Sequence, residues 1–204
     1  MSEVATTRWA LRVWPADAAQ ALAELRGGTG LTVIGRETPL TASRAEARVA
    51  IRQALTQTLA AFFKQPTTAV TLVSRPGQAL RVMVPGAGPV QVSISHMAGF
   101  SLAAIRIGGA VGVDVMAAQA PLLPGWELVA LDYLGPQAAA ALHRTAPAEQ
   151  ATAFAQAWVA WEARLKCLGL GLTEWTPSLA LRLSACDVHE LALPPGLCGA
   201  LARR

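Results

Sequence analysis

The chain has 204 residues, 53% of them hydrophobic and 15% charged. That balance excludes a disordered chain and supplies a core for one large domain or two small ones. A formal net charge of +4 favours an anionic ligand or an acidic partner. No helix-turn-helix, zinc-finger or RNA-recognition pattern accompanies it, so nucleic acid is not expected.

Alanine makes up much of the apolar content and fills little volume, which leaves the six tryptophans to anchor the packing. Cys167, Cys186 and Cys198 are an odd number without framework spacing and read as reduced thiols of a cytoplasmic protein. Cys186, His189 and Cys198 lack a fourth ligand and the spacing of a zinc site. The first residues, MSEVATTRWALRVW, lack a basic segment followed by a long apolar run, and no uncharged apolar stretch of about 18 residues exists. Neither a secretory signal nor a membrane span is expected.

In chain order, Arg8 to Trp14 alternates as a strand, and Pro15 opens a helical pattern through Leu25 that GGTG at 27–30 stops. Ser43 with Glu46 three residues later forms a capping box, and Val49, Leu55, Leu59, Phe62 and Phe63 carry a helix to about Lys64. From Thr68 to Met116 the runs AVTLVSR, ALRVMV, VQVSIS, FSLAAIRI and AVGVDVM alternate with turn residues and predict an antiparallel sheet or meander. Helices are expected near Trp126 to Leu134, Pro136 to His143 and Pro147 to Leu168, the last stopped by Gly169 and Gly171. SLALRL at 178–183 reads as a strand. This order predicts an α+β fold of two similar halves, each a small antiparallel sheet packed on a long helix and related by a pseudo-twofold. The boundary falls near Gly108 to Val111, giving halves of 1–109 and 110–204.

Three segments carry chemistry. In AVGVDVM a period of two puts Val111, Val113 and Val115 on one face and Gly112, Asp114 and Met116 on the other. A carboxylate in an apolar strand is costly unless hydrated, paired or bound to a cation; an aspartate satisfying turn or backbone donors near a strand end is the plainer alternative. In the helix containing WVAWEARLKCLGLGL, Phe154, Trp158, Trp161, Leu165 and Leu168 form a core stripe. Glu162 and Lys166 lie four apart beside it, either as an ordinary surface pair or as a metal carboxylate with a phosphate-binding ammonium. In SISHMAGF, Ser95 and His96 end a strand, where an imidazole can donate to phosphate. A hydrolase triad with Asp114 is excluded, because no G-x-S-x-G elbow is present and Ser95 and His96 point to opposite faces.

The order SRP, VSISHMAGFSLAAI, VGVDVM, WVAWEARLKCLGLGL, from about Arg75 to Leu172, resembles the larger, two-lobed (surfactin-synthetase-activating) 4′-phosphopantetheinyl transferases. Their pattern has a strand ending in Ser-His, a Gly-x-Asp-x-Glu strand and a helix of the form W-x-x-K-E-A-x-x-K before a glycine stop. The resemblance implies a magnesium-dependent transfer of the 4′-phosphopantetheine arm of coenzyme A to a serine of an acyl or peptidyl carrier protein, releasing adenosine 3′,5′-bisphosphate. It assigns Asp114 and Glu162 to magnesium, with Glu162 also helping to deprotonate the carrier serine. Lys166 and His96 would meet phosphate oxygens with help from Ser95, Arg75 would lie along the adenine, and Arg48 would match the basic residue for the 3′-phosphate. On this view 1–109 is the coenzyme A side and 110–204 holds the metal and catalytic helix, in a cytoplasmic monomer with no membrane partner. Met116 stands where the family has a second acid, and its soft thioether does not suit magnesium. Trp161 stands where the family has a lysine. Both departures favour the alternative, a homologue that binds coenzyme A or a carrier protein without transfer.

Overall fold

The computed structural model describes residues 8–74 and 79–204; Arg75 lies outside them. The segment expected as one strand from Arg8 to Trp14 is two short ones, Trp9–Ala10 (β1) and Arg12–Val13 (β2). The break at Leu11 carries the chain from one sheet to another, because β1 pairs with Asp187–Ala192 (β9) and β2 with Leu31–Glu37 (β3). Both pairs are parallel, where wholly antiparallel sheets were expected. The helix Ala18–Arg26 (α1) supplies the crossover that a parallel β2–β3 pair requires.

β3 was not expected from the sequence. Leu31, Thr32, Val33 and Ile34 are all buried, since this strand is covered on both faces and so shows no alternation. The capping box is present as expected: the Ser43 hydroxyl accepts from the Glu46 amide at 3.2 Å, and the Glu46 carboxylate accepts from the Ser43 amide at 2.7 Å. It starts the helix Arg44–Phe63 (α2), which ends at Lys64 in the left-handed region with φ 54°.

The meander follows as Thr71–Val73 (β4), Arg81–Met83 (β5), Val90–Met97 (β6) and Phe100–Ile107 (β7), completing a six-stranded sheet of order β2-β3-β7-β6-β5-β4. Val111–Ala117 (β8) leaves it for a four-stranded sheet of order β1-β9-β10-β8, in which Leu197–Arg203 (β10) pairs antiparallel with both β8 and β9. Neither β9 nor β10 was expected.

The layers run α2, six-stranded sheet, four-stranded sheet, and the helix Pro147–Cys167 (α5). Ile51, Leu55 and Leu59 of α2 pack on Val92, Ala103 and Ile105. By strand alternation Leu31 and Val33 of β3, with Leu102 and Ala104 of β7, point the other way and meet Val111, Val113, Val115 and Leu201 between the sheets. Val159, Ala163 and Cys167 of α5 then cover Ala200 and Ala202. The approach of α5 to β8 is close enough that a β-carbon on Gly112 would stand 2.0 Å from the Ala163 carbonyl oxygen and 2.4 Å from the Cys167 amide nitrogen.

Trp126–Val129 (α3), continued by a wide turn over Ala130–Leu134, packs with Pro136–Arg144 (α4) and Pro177–Leu183 (α6) around Trp161 and Leu165 of α5. Residues 178–183 are thus helical and not the expected strand. Thr176 caps the Leu179 amide at 3.1 Å, Pro177 takes the first turn, and Leu179 and Leu183 are buried while Leu181 is 75% exposed. The α+β class is as expected. Among the described residues no helix is long and apolar enough to cross a membrane.

Candidate active site

A cleft of about 970 Å³ opens between α2, the later part of β6, β8 and α5. Ser95 and His96 point to opposite faces of β6 yet both line it. The reason is the edge: among the described residues β5 pairs with β6 at Arg81↔Gln91, short of Ser93 to His96, so side chains from both faces reach one space.

Asp114 lies on the face of β8 toward α5, as the alternation requires, and is 6% exposed. Its Oδ1 accepts from Ser95 Oγ at 2.6 Å and from Lys166 Nζ at 2.6 Å. Side chains therefore satisfy it, not a turn. Ser95 Oγ also accepts the Val115 amide at 3.3 Å, and Ser93 Oγ accepts the Val113 amide at 3.0 Å. These two serines stand in for a neighbouring strand along the outer edge of β8.

Glu162 and Lys166 are more than a surface pair. Lys166 Nζ is 3.5 Å from Glu162 Oε2 as well as 2.6 Å from Asp114, so one ammonium joins two carboxylates from different elements. Glu162 Oε1 accepts from the Trp158 indole N–H at 3.0 Å. Sequence reasoning placed Trp158 in the core stripe and missed this role; its position four residues before Glu162, on the same helix face, was the available signal. Trp161 is buried among Leu165, Leu179 and Leu183, away from the cleft.

The opposite wall carries Arg44, Arg48 and Arg52 of α2. Arg48 alone was expected. The fourfold spacing puts all three on one helix face, and no carboxylate among the described residues pairs with them. His96 Nδ1 lies 2.8 Å from Ser101 Oγ. Burial, then the positive charges of Arg48, Arg44, Lys166 and Arg52, push the imidazole pKa down to about 4. It is neutral at pH 7.

The cleft thus offers a divalent cation two hard carboxylates, Asp114 and Glu162, with Met116 beside them. Among the described residues no group of three or more His, Cys, Asp or Glu side chains is disposed to hold a metal. With four cationic side chains against two acids, the lining suits a polyanion that brings ligands of its own.

Residues 110–194 match the model of the 4′-phosphopantetheinyl transferase superfamily. That span holds Asp114, Trp158, Glu162 and Lys166, and leaves out the arginine row, Ser95 and His96. The match is to the superfamily as a whole. No curated protein matches the chain.

Proposed function

We propose that the chain transfers the 4′-phosphopantetheine arm of coenzyme A to a serine of an acyl or peptidyl carrier protein. The observation that carries this reading is the Lys166 ammonium joining Asp114 and Glu162 at 2.6 and 3.5 Å, inside the superfamily match and facing three arginines across one cleft. Asp114 and Glu162 would hold a magnesium ion, which would neutralise charge on the pyrophosphate.

The chain's own residues supply the rest. Arg44, Arg48 and Arg52 hold the phosphates of coenzyme A on the α2 side, and Lys166 and His96 meet the oxygens at the reacting phosphorus. The carrier serine oxygen forms a bond to the β-phosphorus as the bond to the bridging oxygen breaks. The serine proton passes to Glu162, whose orientation Trp158 fixes, and adenosine 3′,5′-bisphosphate leaves with the electron pair.

The test is incubation with coenzyme A, magnesium and a panel of apo carrier proteins, read by intact mass. Gain of one arm by a carrier, abolished in Asp114→Ala and Glu162→Ala with the fold intact, is the expected result; no gain by any carrier would reject the proposal. Met116 favours a second reading, binding without transfer. Calorimetric binding of coenzyme A with no carrier modified would select it.

A further inference from the structure

We propose that Ser101 is a positioning residue that fixes His96 as its Nε2–H tautomer, making the neutral ring a hydrogen-bond donor to an anionic oxygen in the cleft. The inference rests on the reading that the cleft takes the phosphates of coenzyme A.

His96 and Ser101 are direct cross-strand partners on β6 and β7, so their side chains stand on one face of the sheet. Ser101 is fully buried, and its hydroxyl meets His96 Nδ1 at 2.8 Å. Its partner on the other side is Arg36, whose guanidinium has donors only and gives one of them to the Trp14 carbonyl oxygen at 3.0 Å. The ring nitrogen is therefore the acceptor at hand for the Ser101 hydrogen.

A neutral imidazole carries one N–H. Were it on Nδ1, two hydrogens would compete for one contact and the buried Ser101 hydroxyl would lack an acceptor, which is unfavourable for a buried donor. With Ser101 donating, the ring hydrogen sits on Nε2. That nitrogen has no hydrogen-bond partner among the described residues and is not among their buried unpartnered atoms, so it is open to the cleft. The charges around it are Arg44, Arg48 and Arg52 from α2 and Lys166 from α5. Burial first, and then these charges, keep the ring from gaining a second proton, so an anion meets a fixed donor and not a titrating cation.

The experiment is long-range proton–nitrogen NMR of the full chain labelled at histidine nitrogen, at pH 7, with coenzyme A binding measured by calorimetry. The expected spectrum has the His96 proton on Nε2 in the wild type and shared between the nitrogens in Ser101→Ala. The affinity of Ser101→Ala for coenzyme A should fall roughly three- to tenfold. His96→Gln supplies an amide donor that needs no partner, so adding Ser101→Ala to it should change affinity by less than about twofold. A tenfold loss there would mean that Ser101 acts only through the fold. A wild-type ring protonated on Nδ1 while coenzyme A still binds would overturn the inference and leave the proposed function standing, and this needs no variant to fold. Failure of the wild type to bind coenzyme A would remove the proposed function and the donor role with it, whatever the tautomer.

Discussion

Ser95 and Asp114 meet across the seam between the two sheets: the hydroxyl donates to Oδ1 at 2.6 Å while accepting the Val115 amide at 3.3 Å. Its single hydrogen is committed to the carboxylate. Ser95 thereby orients the acid that Lys166 also holds, and ties β6 to β8 in the same contact.

Ser95→Ala should accordingly cost about 1–3 kcal/mol, since it leaves the Val115 amide without an acceptor and takes one donor from buried Asp114. Urea unfolding measures this. A change below about 0.5 kcal/mol would mean that the seam does not depend on the hydroxyl.

Gly112→Ala tests the contact between α5 and β8. The added carbon would stand 2.0 Å from a backbone oxygen of α5, which cannot swing aside as a side-chain tip can. A loss of about 3 kcal/mol is expected by denaturant unfolding, with weaker coenzyme A binding as Lys166 moves away from Asp114. Near-wild-type stability would contradict this packing.

His96 makes stability depend on pH. Burial first, then the Arg48, Arg44, Lys166 and Arg52 charges, lower its pKa from 6.5 to about 4. Between those values the unfolded chain binds more protons than the folded one. The contribution is therefore fully present above pH 6.5 and is lost as pH falls toward about 4. Comparison with His96→Gln from pH 7 to pH 4 separates this from carboxylate titration, and the wild type should lose more stability than the variant on acidification. Parallel curves would show that the ring is as free to protonate in the fold as outside it.

Met116→Glu tests the proposed magnesium site. It adds a hard oxygen on the face of β8 that carries Asp114, so the magnesium concentration for half-maximal transfer should fall. An unchanged magnesium titration would mean that Asp114, Glu162 and the ligand's own oxygens suffice.

What the sequence disclosed came from local signals: Ser43 and Glu46 for the capping box of α2, turn residues between short apolar runs for the meander from β4 to β7, and three- and four-residue spacing for the stripe of α5. β7 is buried from Phe100 to Ile105 just as β3 is from Leu31 to Ile34, so the turns at its two ends, and not alternation, marked it. SLALRL misled because Leu179, Leu181 and Leu183 alternate, although two of them are buried four residues apart and the one between is exposed. Thr176 and Pro177 held the correct signal. In the site, Asp114, Glu162 and Lys166 stood out as polar groups in apolar elements. Arg44, Arg52 and Ser101 did not, since their meaning comes from what lies across the cleft or on the next strand.

The parallel pairing of β1 with β9 brings the start of the described chain into the sheet that holds its last two strands. A cut near Gly108 would leave one fragment holding an edge strand of the other's sheet, and strip the Val113 and Val115 amides of their serine acceptors. Expressed separately, the fragments should be poorly folded. Mixed, each carries what the other lacks, so the molecule is suited to complementation, with the proposed transfer as the signal of reassembly.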